Sequence, residues 1–184
     1  MNIINYAYNV LRLAKMKVSG KYRGSVLQGI PVSSEIRSIT GVIYLADRLS
    51  CRRNCYLSAS TGELNIGKNC FFNDNVMIVS KCKIIIGNNV IIGPNVVIVD
   101  HDHDYVSDDR KDSFKSEPII IGDNVWIGAN VVITKGTSIG ANSVIGAGTV
   151  LRGTYADNLL IYQEKHTKTR VIERKKSDES EKHV

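Results

Sequence analysis

The sequence is poor in the residues that build metal knuckles and disulfide frameworks. Its four cysteines, Cys51, Cys55, Cys70 and Cys82, form no CxxC pair and have no histidine at zinc-finger spacing. A zinc knuckle is therefore not expected, and the thiols read as reduced core side chains. Long apolar runs are also missing. No stretch approaches the roughly 20 consecutive apolar residues of a spanning helix. The opening segment, MNIINYAYNVLRLAKMK, has neither a continuous apolar stretch nor a small-residue cleavage site, so a cytoplasmic protein is expected. The formal charge of +6 raises nucleic acid as a ligand. No recognition helix is visible, however, and aromatic side chains are not interleaved with the basic ones. Much of the positive charge lies near the two ends, which suits a polyanionic small molecule or an anionic membrane surface better.

What the sequence does have is a repeat. Aliphatic residues return every six positions at Leu45, Cys51 and Leu57, then Ile66, Phe72 and Ile78, then Ile86, Ile92 and Ile98. After an excursion they resume at Ile121, Ile127 and Ile133, and then at Ile139, Ile145 and Leu151. A helix would space them by three and four, and an amphipathic strand by two. Three residues after the aliphatic position stand Asn54, Asn69, Asn75, Asn89, Asn95, Asn124, Asn130 and Asn142, with Gly136 and Gly148 in the same slot. Asn and Gly tolerate positive φ, so this slot is a corner with a left-handed backbone. The next position holds Val76, Val90, Val96, Val125, Val131, Thr137, Ser143 or Thr149, small enough to sit beside the aliphatic residue in a narrow coil. A corner every six residues and three sides per turn give an all-β solenoid of about five coils, each burying its inward side chains on the next. The residues in excess of the hexads all fall between groups and should bulge from one corner of the prism.

The segment IGDNVWIGANVVITKGTSIGANSVIGAGTVL resembles the last two coils of the hexapeptide-repeat acyltransferases, which include galactoside, maltose and serine acetyltransferases and many capsule and lipopolysaccharide O-acetyltransferases. The resemblance runs from about 41 to 153. It implies a left-handed parallel β-helix and a homotrimer. On this reading residues 1–40 are a short N-terminal helix and a lead-in, 41–155 are the β-helix with an excursion loop over 100–118, and 156–184 are a C-terminal segment ending in a mixed-charge tail expected to be disordered.

The excursion, DHDHDYVSDDRKDSFKSEP, is where chemistry is expected, since a regular solenoid does not need it. In the related enzymes this loop carries the catalytic histidine, and the resemblance puts His103 in that place. Imidazole ordinarily titrates near neutrality, which suits a general base that removes a hydroxyl proton as the oxygen attacks a thioester. His101 is read as a neighbour that shapes the loop, with Asp100 and Asp104 as the carboxylates near enough in sequence to orient an imidazole. The resemblance further assigns Asn73 and Trp126 to the acceptor, Ala129 and Ala147 to the pantetheine arm of acetyl-CoA, and Arg152, Arg170 and Arg174 to its phosphates. The end of the chain departs from the family, lacking the Gly and Pro of the usual AAGNPAKVI-like segment.

The function so implied is acetyl-CoA-dependent O-acetyl transfer to a sugar or polysaccharide hydroxyl, as in capsule, O-antigen or exopolysaccharide. Alternatives are N-acetylation of an amino sugar nucleotide and a non-catalytic structural solenoid. A carbonic anhydrase on this architecture would need three histidines around zinc, but only His101 and His103 lie in the repeat, so no metal is expected. The N-terminal segment is amphipathic through Ile3, Ala7, Val10, Leu11 and Ala14 and is followed by Lys15, Lys17, Lys21 and Arg23. Peripheral contact with the inner face of a membrane is therefore included among the expected partners.

Overall fold

The structure is a computed structural model that describes residues 3–164 and 168–171. Arg174 and the mixed-charge tail from about 175 lie outside the described residues. One α-helix, Ile3–Val18, is followed by a parallel β-solenoid with three faces. The first face has seven strands: Tyr22–Gly24, Val42–Leu45, Glu63–Ile66, Lys83–Ile86, Ile119–Ile121, Ser138–Ile139 and Thr154–Tyr155. The second has six, Ser50–Cys51, Phe71–Phe72, Ile91–Ile92, Trp126–Ile127, Val144–Ile145 and Leu160–Ile161. The third also has six, Glu35–Ser38, Tyr56–Ala59, Met77–Ser80, Val97–Val99, Val132–Thr134 and Val150–Leu151.

All fifteen positions of the six-residue series point inward and are buried. They stack in register, so that Ile92 lies between Phe72 and Ile127, and Ile98 between Ile78 and Ile133. The eight small residues from Val76 to Thr149 are buried beside them. Each coil thus closes a flat layer of core that only its neighbours can cover, which is why isolated coils would have no stability.

There are about six turns rather than five. An extra turn precedes Leu45, with Gly24 paired to Leu45 and Ile36 to Leu57, and Ile30 buried between them in sequence. The six-residue spacing therefore begins at position 24, where glycine stands in the inward slot and supplies no apolar signal. At the other end Tyr155 pairs with Ile139 and Ile161 with Ile145, beginning a further turn.

The corners follow the Asn pattern. Asn54, Asn69, Asn75, Asn89, Asn95, Asn124, Asn130 and Asn142 have φ between 57° and 61°, and Gly136 and Gly148 have φ of 73° and 70°. Two further corners, Asn158 and Arg48, were not in the predicted set and have φ of 62° and 65°. On the corner after the first face the side-chain amides form a ladder, Asn69 donating to Asn89 at 3.1 Å, Asn89 to Asn124 at 2.9 Å and Asn124 to Asn142 at 3.0 Å. A second ladder joins Asn54, Asn75, Asn95 and Asn130 on the corner after the second face. The third corner is irregular and carries every excursion, as expected from the surplus residues. Cys51, Cys55 and Cys70 are buried free thiols, and Cys82, at the third corner, is half-buried. Burial holds the Cys70 thiol above its ordinary pKa.

The helix caps the first coil through Leu13, which is fully buried, and through a polar clasp. Asn9 donates from Nδ2 to the carbonyl of Gln28 at 2.8 Å, while Arg12 donates to Asn9 Oδ1 and to the carbonyl of Ser34. Among the described residues no helix is long and apolar enough to cross a membrane.

Candidate active site

The excursion between the fourth and fifth turns folds into a two-stranded antiparallel hairpin, His101–His103 against Phe114–Ser116. Its base is fixed by Asp100, whose side chain is fully buried. That carboxylate accepts from Ser80 Oγ at 2.8 Å, from the backbone N–H of Lys81 at 2.8 Å and from that of Cys82 at 2.9 Å. It also meets His101 Nδ1 at 3.1 Å. Asp100 is therefore not a solvated loop carboxylate. It satisfies the backbone turn of the coil below and holds His101, which packs edge-on to Phe114.

His103 is exposed at the end of the first hairpin strand, with its ring 4.6 Å from that of Phe114. Its Nδ1 lies 2.8 Å from the carbonyl oxygen of Arg110. A carbonyl can only accept, so in the neutral imidazole Nδ1 carries the proton and Nε2 keeps its lone pair. Neither Asp100 nor Asp104 touches this ring. Asp104 instead pairs with Lys115 at 2.9 Å and accepts from the N–H of Val106, and Lys115 holds its carboxyl below the usual carboxylate range.

Two cations that sequence reading passed over also shape the loop. Lys135, buried at the third corner of the next turn, reaches Asp102 at 2.7 Å, and this contact lowers the Asp102 pKa. Asp102 stands between the two histidines on the hairpin strand, so the pair ties the strand to the solenoid. Lys81 lies over the Phe114 ring, 3.3 Å from its centroid. Neither was legible because the partners are far apart in sequence.

The remaining candidates lie elsewhere on the prism. Asn73 follows the second-face strand Phe71–Phe72 and turns its Oδ1 back to accept from the N–H of Asp74 at 2.9 Å. Trp126 points outward from the second face, 55% exposed, between Ile91 and Val144 in register. Ala129 and Ala147 stack on successive turns at the corner after that face, and the N–H of Gly148 donates to the carbonyl of Ala129 at 2.8 Å. Pro94 precedes them in the same column, and Gly93, Gly128 and Gly146 stand beside it. A Cβ on Gly93 would fall 2.8 Å from the Ala129 nitrogen, and one on Gly128 2.8 Å from the Ala147 nitrogen, so close stacking of the turns forbids it. The result is a strip along the last turns with no side chain larger than a proline ring. Arg152 is at the opposite corner, beside the excursion, where it pairs with Glu117 at 3.3 Å. Arg170 is exposed.

One chain therefore brings together His103, His101, Asp102, Lys135 and Phe114. It does not bring Asn73, Trp126 or the alanines to them, because the third face intervenes. At about 3.3 Å per extended residue, the path from Asn95 to Asp100 across that face is roughly 16 Å. The described residues hold no cluster of three or more His, Cys, Asp or Glu side chains able to bind a metal ion.

Residues 118–152 match the hexapeptide repeat of succinyl-transferase. Among curated proteins, the chain is 43% identical over 98 residues to a galactoside O-acetyltransferase of Escherichia coli, covering 53% of this chain and 48% of that one. It is 35% identical over 116 residues to a galactoside O-acetyltransferase of Lactococcus lactis, covering 59% and 56%. The chain thus spans about half the length of the curated relatives it matches. Among solved structures it is similar to a hexapeptide-repeat acetyltransferase of Vibrio cholerae complexed with acetyl coenzyme A, at TM-score 0.50 and 25% identity, covering 84% of this chain and 79% of that one. A maltose O-acetyltransferase of Clostridium difficile is equally similar, at TM-score 0.50 and 25% identity, covering 86% and 82%.

Proposed function

We propose that the protein is an acetyl-CoA-dependent O-acetyltransferase acting on a sugar or polysaccharide hydroxyl, with His103 as its general base. The observation that carries this reading is the bond between His103 Nδ1 and the Arg110 carbonyl. It fixes the ring and leaves Nε2 as the basic atom on an exposed loop. In the reaction the hydroxyl oxygen attacks the thioester carbonyl while Nε2 takes its proton. The carbon–sulfur bond then breaks, and the imidazolium returns the proton to the CoA thiolate. No acyl-enzyme forms. The strip of Pro94, Ala129 and Ala147 supports the donor assignment, since a pantetheine arm can lie against backbone only where side chains are short. Arg152 and Arg170 are the described cations for its phosphates.

The separation of His103 from Asn73 and Trp126 is the reason for a shared site. In a homotrimer the excursion of one copy reaches the second face of its neighbour, and both halves of the site meet there. Sedimentation equilibrium should give three times the 20.3 kDa chain mass. His103→Ala should lower kcat by roughly 10²–10⁴-fold with CoA affinity unchanged, the usual loss of a positioned base. Mixing inactive His103→Ala and Asn73→Ala chains should restore activity, because some interfaces then hold both native residues. A monomer with full activity, or a His103→Ala enzyme with near-normal kcat, overturns this reading. Comparing sugar hydroxyl and amino-sugar acceptors separates O- from N-transfer.

A further inference from the structure

The helix Ile3–Val18 has its greasy side on the outside. Its contacts with the solenoid are made by Asn9, Arg12, Leu13 and Met16, and at the edge by Lys17, whose Nζ donates to the carbonyl of Gly24 at 3.2 Å. With 100° between successive residues, these fall on one arc of the helix. The opposite arc carries Ile3, Ile4, Ala7, Leu11, Ala14 and Val18 and no polar residue. The large members of this arc are open to solvent: Ile3 is 87% exposed, Ile4 77%, Leu11 71% and Val18 91%. A surface helix ordinarily buries its apolar stripe, so this stripe is turned toward a partner rather than the core.

The charge says what partner. Residues 3–34 hold Arg12, Lys15, Lys17, Lys21 and Arg23 and no Asp or Glu before Glu35. Lys15 and Lys17 flank the apolar arc on its two edges, and half-exposed Tyr8 and Tyr6 stand on the same two edges. Lysines can keep their ammonium groups at the phosphate level while their stems follow the apolar face, and tyrosine rings prefer the same depth. A second copy of this helix would bring like charges together, and an apolar stripe two heptads long with two alanines offers little packing in return.

We propose that this helix docks the protein on an anionic phospholipid surface, with Ile3, Ile4, Leu11 and Val18 immersed and Lys15, Lys17, Lys21 and Arg23 on the headgroup phosphates. The helix caps the first turn, so the solenoid stands end-on to the bilayer. The excursion loop, three turns further along, sits roughly 15 Å above it at one strand spacing per turn.

The test is sedimentation of the full chain with vesicles of phosphatidylcholine alone and with about one third phosphatidylglycerol. The protein should pellet with the mixed vesicles, not with the neutral ones, and added salt should release it. Leu11→Glu should reduce partitioning at least roughly tenfold. Lys15→Gln with Lys17→Gln should reduce it roughly 25-fold, about fivefold per lysine. Circular dichroism and melting temperature should not change, because Leu11 faces solvent. Failure to pellet with anionic vesicles, or indifference to Leu11→Glu, overturns the proposal. So does a change of sedimentation mass in Leu11→Glu without any vesicle binding, which would make the face a contact between copies. The readout involves no acetyl transfer, so either result leaves the catalytic reading as it stands.

Discussion

Two corners of this prism are nearly crystalline in their regularity, and the third is not. At the first two, a single residue in the left-handed region turns the chain from the second turn onward, and the amides of Asn69, Asn89, Asn124 and Asn142, and of Asn54, Asn75, Asn95 and Asn130, bond from one turn to the next. At the third, the turn is made differently in each coil, and between the fourth and fifth turns it opens into the His103 hairpin. There a buried carboxylate, Asp100, accepts from the backbone N–H groups of Lys81 and Cys82, as exposed side chains such as Asp123, which accepts from the N–H of Asn88, do at the regular corners. The comparison shows how a repeat accommodates a site. The regular corners fix the register of every turn, and the irregular one is then free to depart from the repeat without cost to the stack.

The most damaging way to break the third corner is to remove its carboxylate. Asp100→Ala leaves the N–H groups of Lys81 and Cys82 without their acceptor in a buried site, while Ser80 Oγ keeps the Glu63 carbonyl. It should lower the unfolding free energy by about 3–5 kcal/mol, read from denaturant midpoints. Activity should fall as well, since His101 loses its anchor. Breaking a regular corner should cost less. Asn95→Val forces a β-branched residue to φ near 58° and cuts the ladder, for about 2–3 kcal/mol. Asn95→Gly keeps the backbone conformation and should lose only about 1 kcal/mol. If the two variants were equally unstable, the ladder and not the backbone would govern the corner.

Smaller effects sharpen the same contrast. The Asp102 carboxyl is lowered mainly by its hydrogen bond to Lys135. Its contribution is therefore present above the unfolded carboxylate pKa of about 4 and lost as pH falls through the lower folded value. Urea midpoints of wild type and Asp102→Asn should differ at neutral pH and converge in acid. The smallest change should be a gain. Arg48 occupies a regular corner with φ of 65° but has no ladder partner. Arg48→Asn places an amide below Asn69 Oδ1 and relieves the backbone, raising stability by about 0.5–1 kcal/mol in thermal melts.

How much of this was legible depended on whether the physical cause was local. Asn at the corner was readable because the left-handed region restricts residue type at that one position. The aliphatic hexads were readable because every inward slot faces the same narrow core. The pattern failed where another residue filled the slot: glycine at position 24 hid the first turn, and Arg48 hid a corner. The site was legible only as a loop with histidines. Asp100 and Asp104 looked alike in sequence, yet one is fully buried and the other pairs with Lys115.

The sequence by itself determined the period, the three-sided coil and the identity of the corner that carries the excursion, since each is repeated many times and needs no distant partner. Only the tertiary structure decided which histidine is exposed and which is held by a carboxylate, because their partners are a main-chain carbonyl at Arg110 and a carboxylate covered by the preceding turn. It also decided that Asn73 and Trp126 stand a full face away from His103, and that the apolar arc of the helix looks outward. Those are relations between turns, and a linear pattern carries no record of which surfaces another turn will cover.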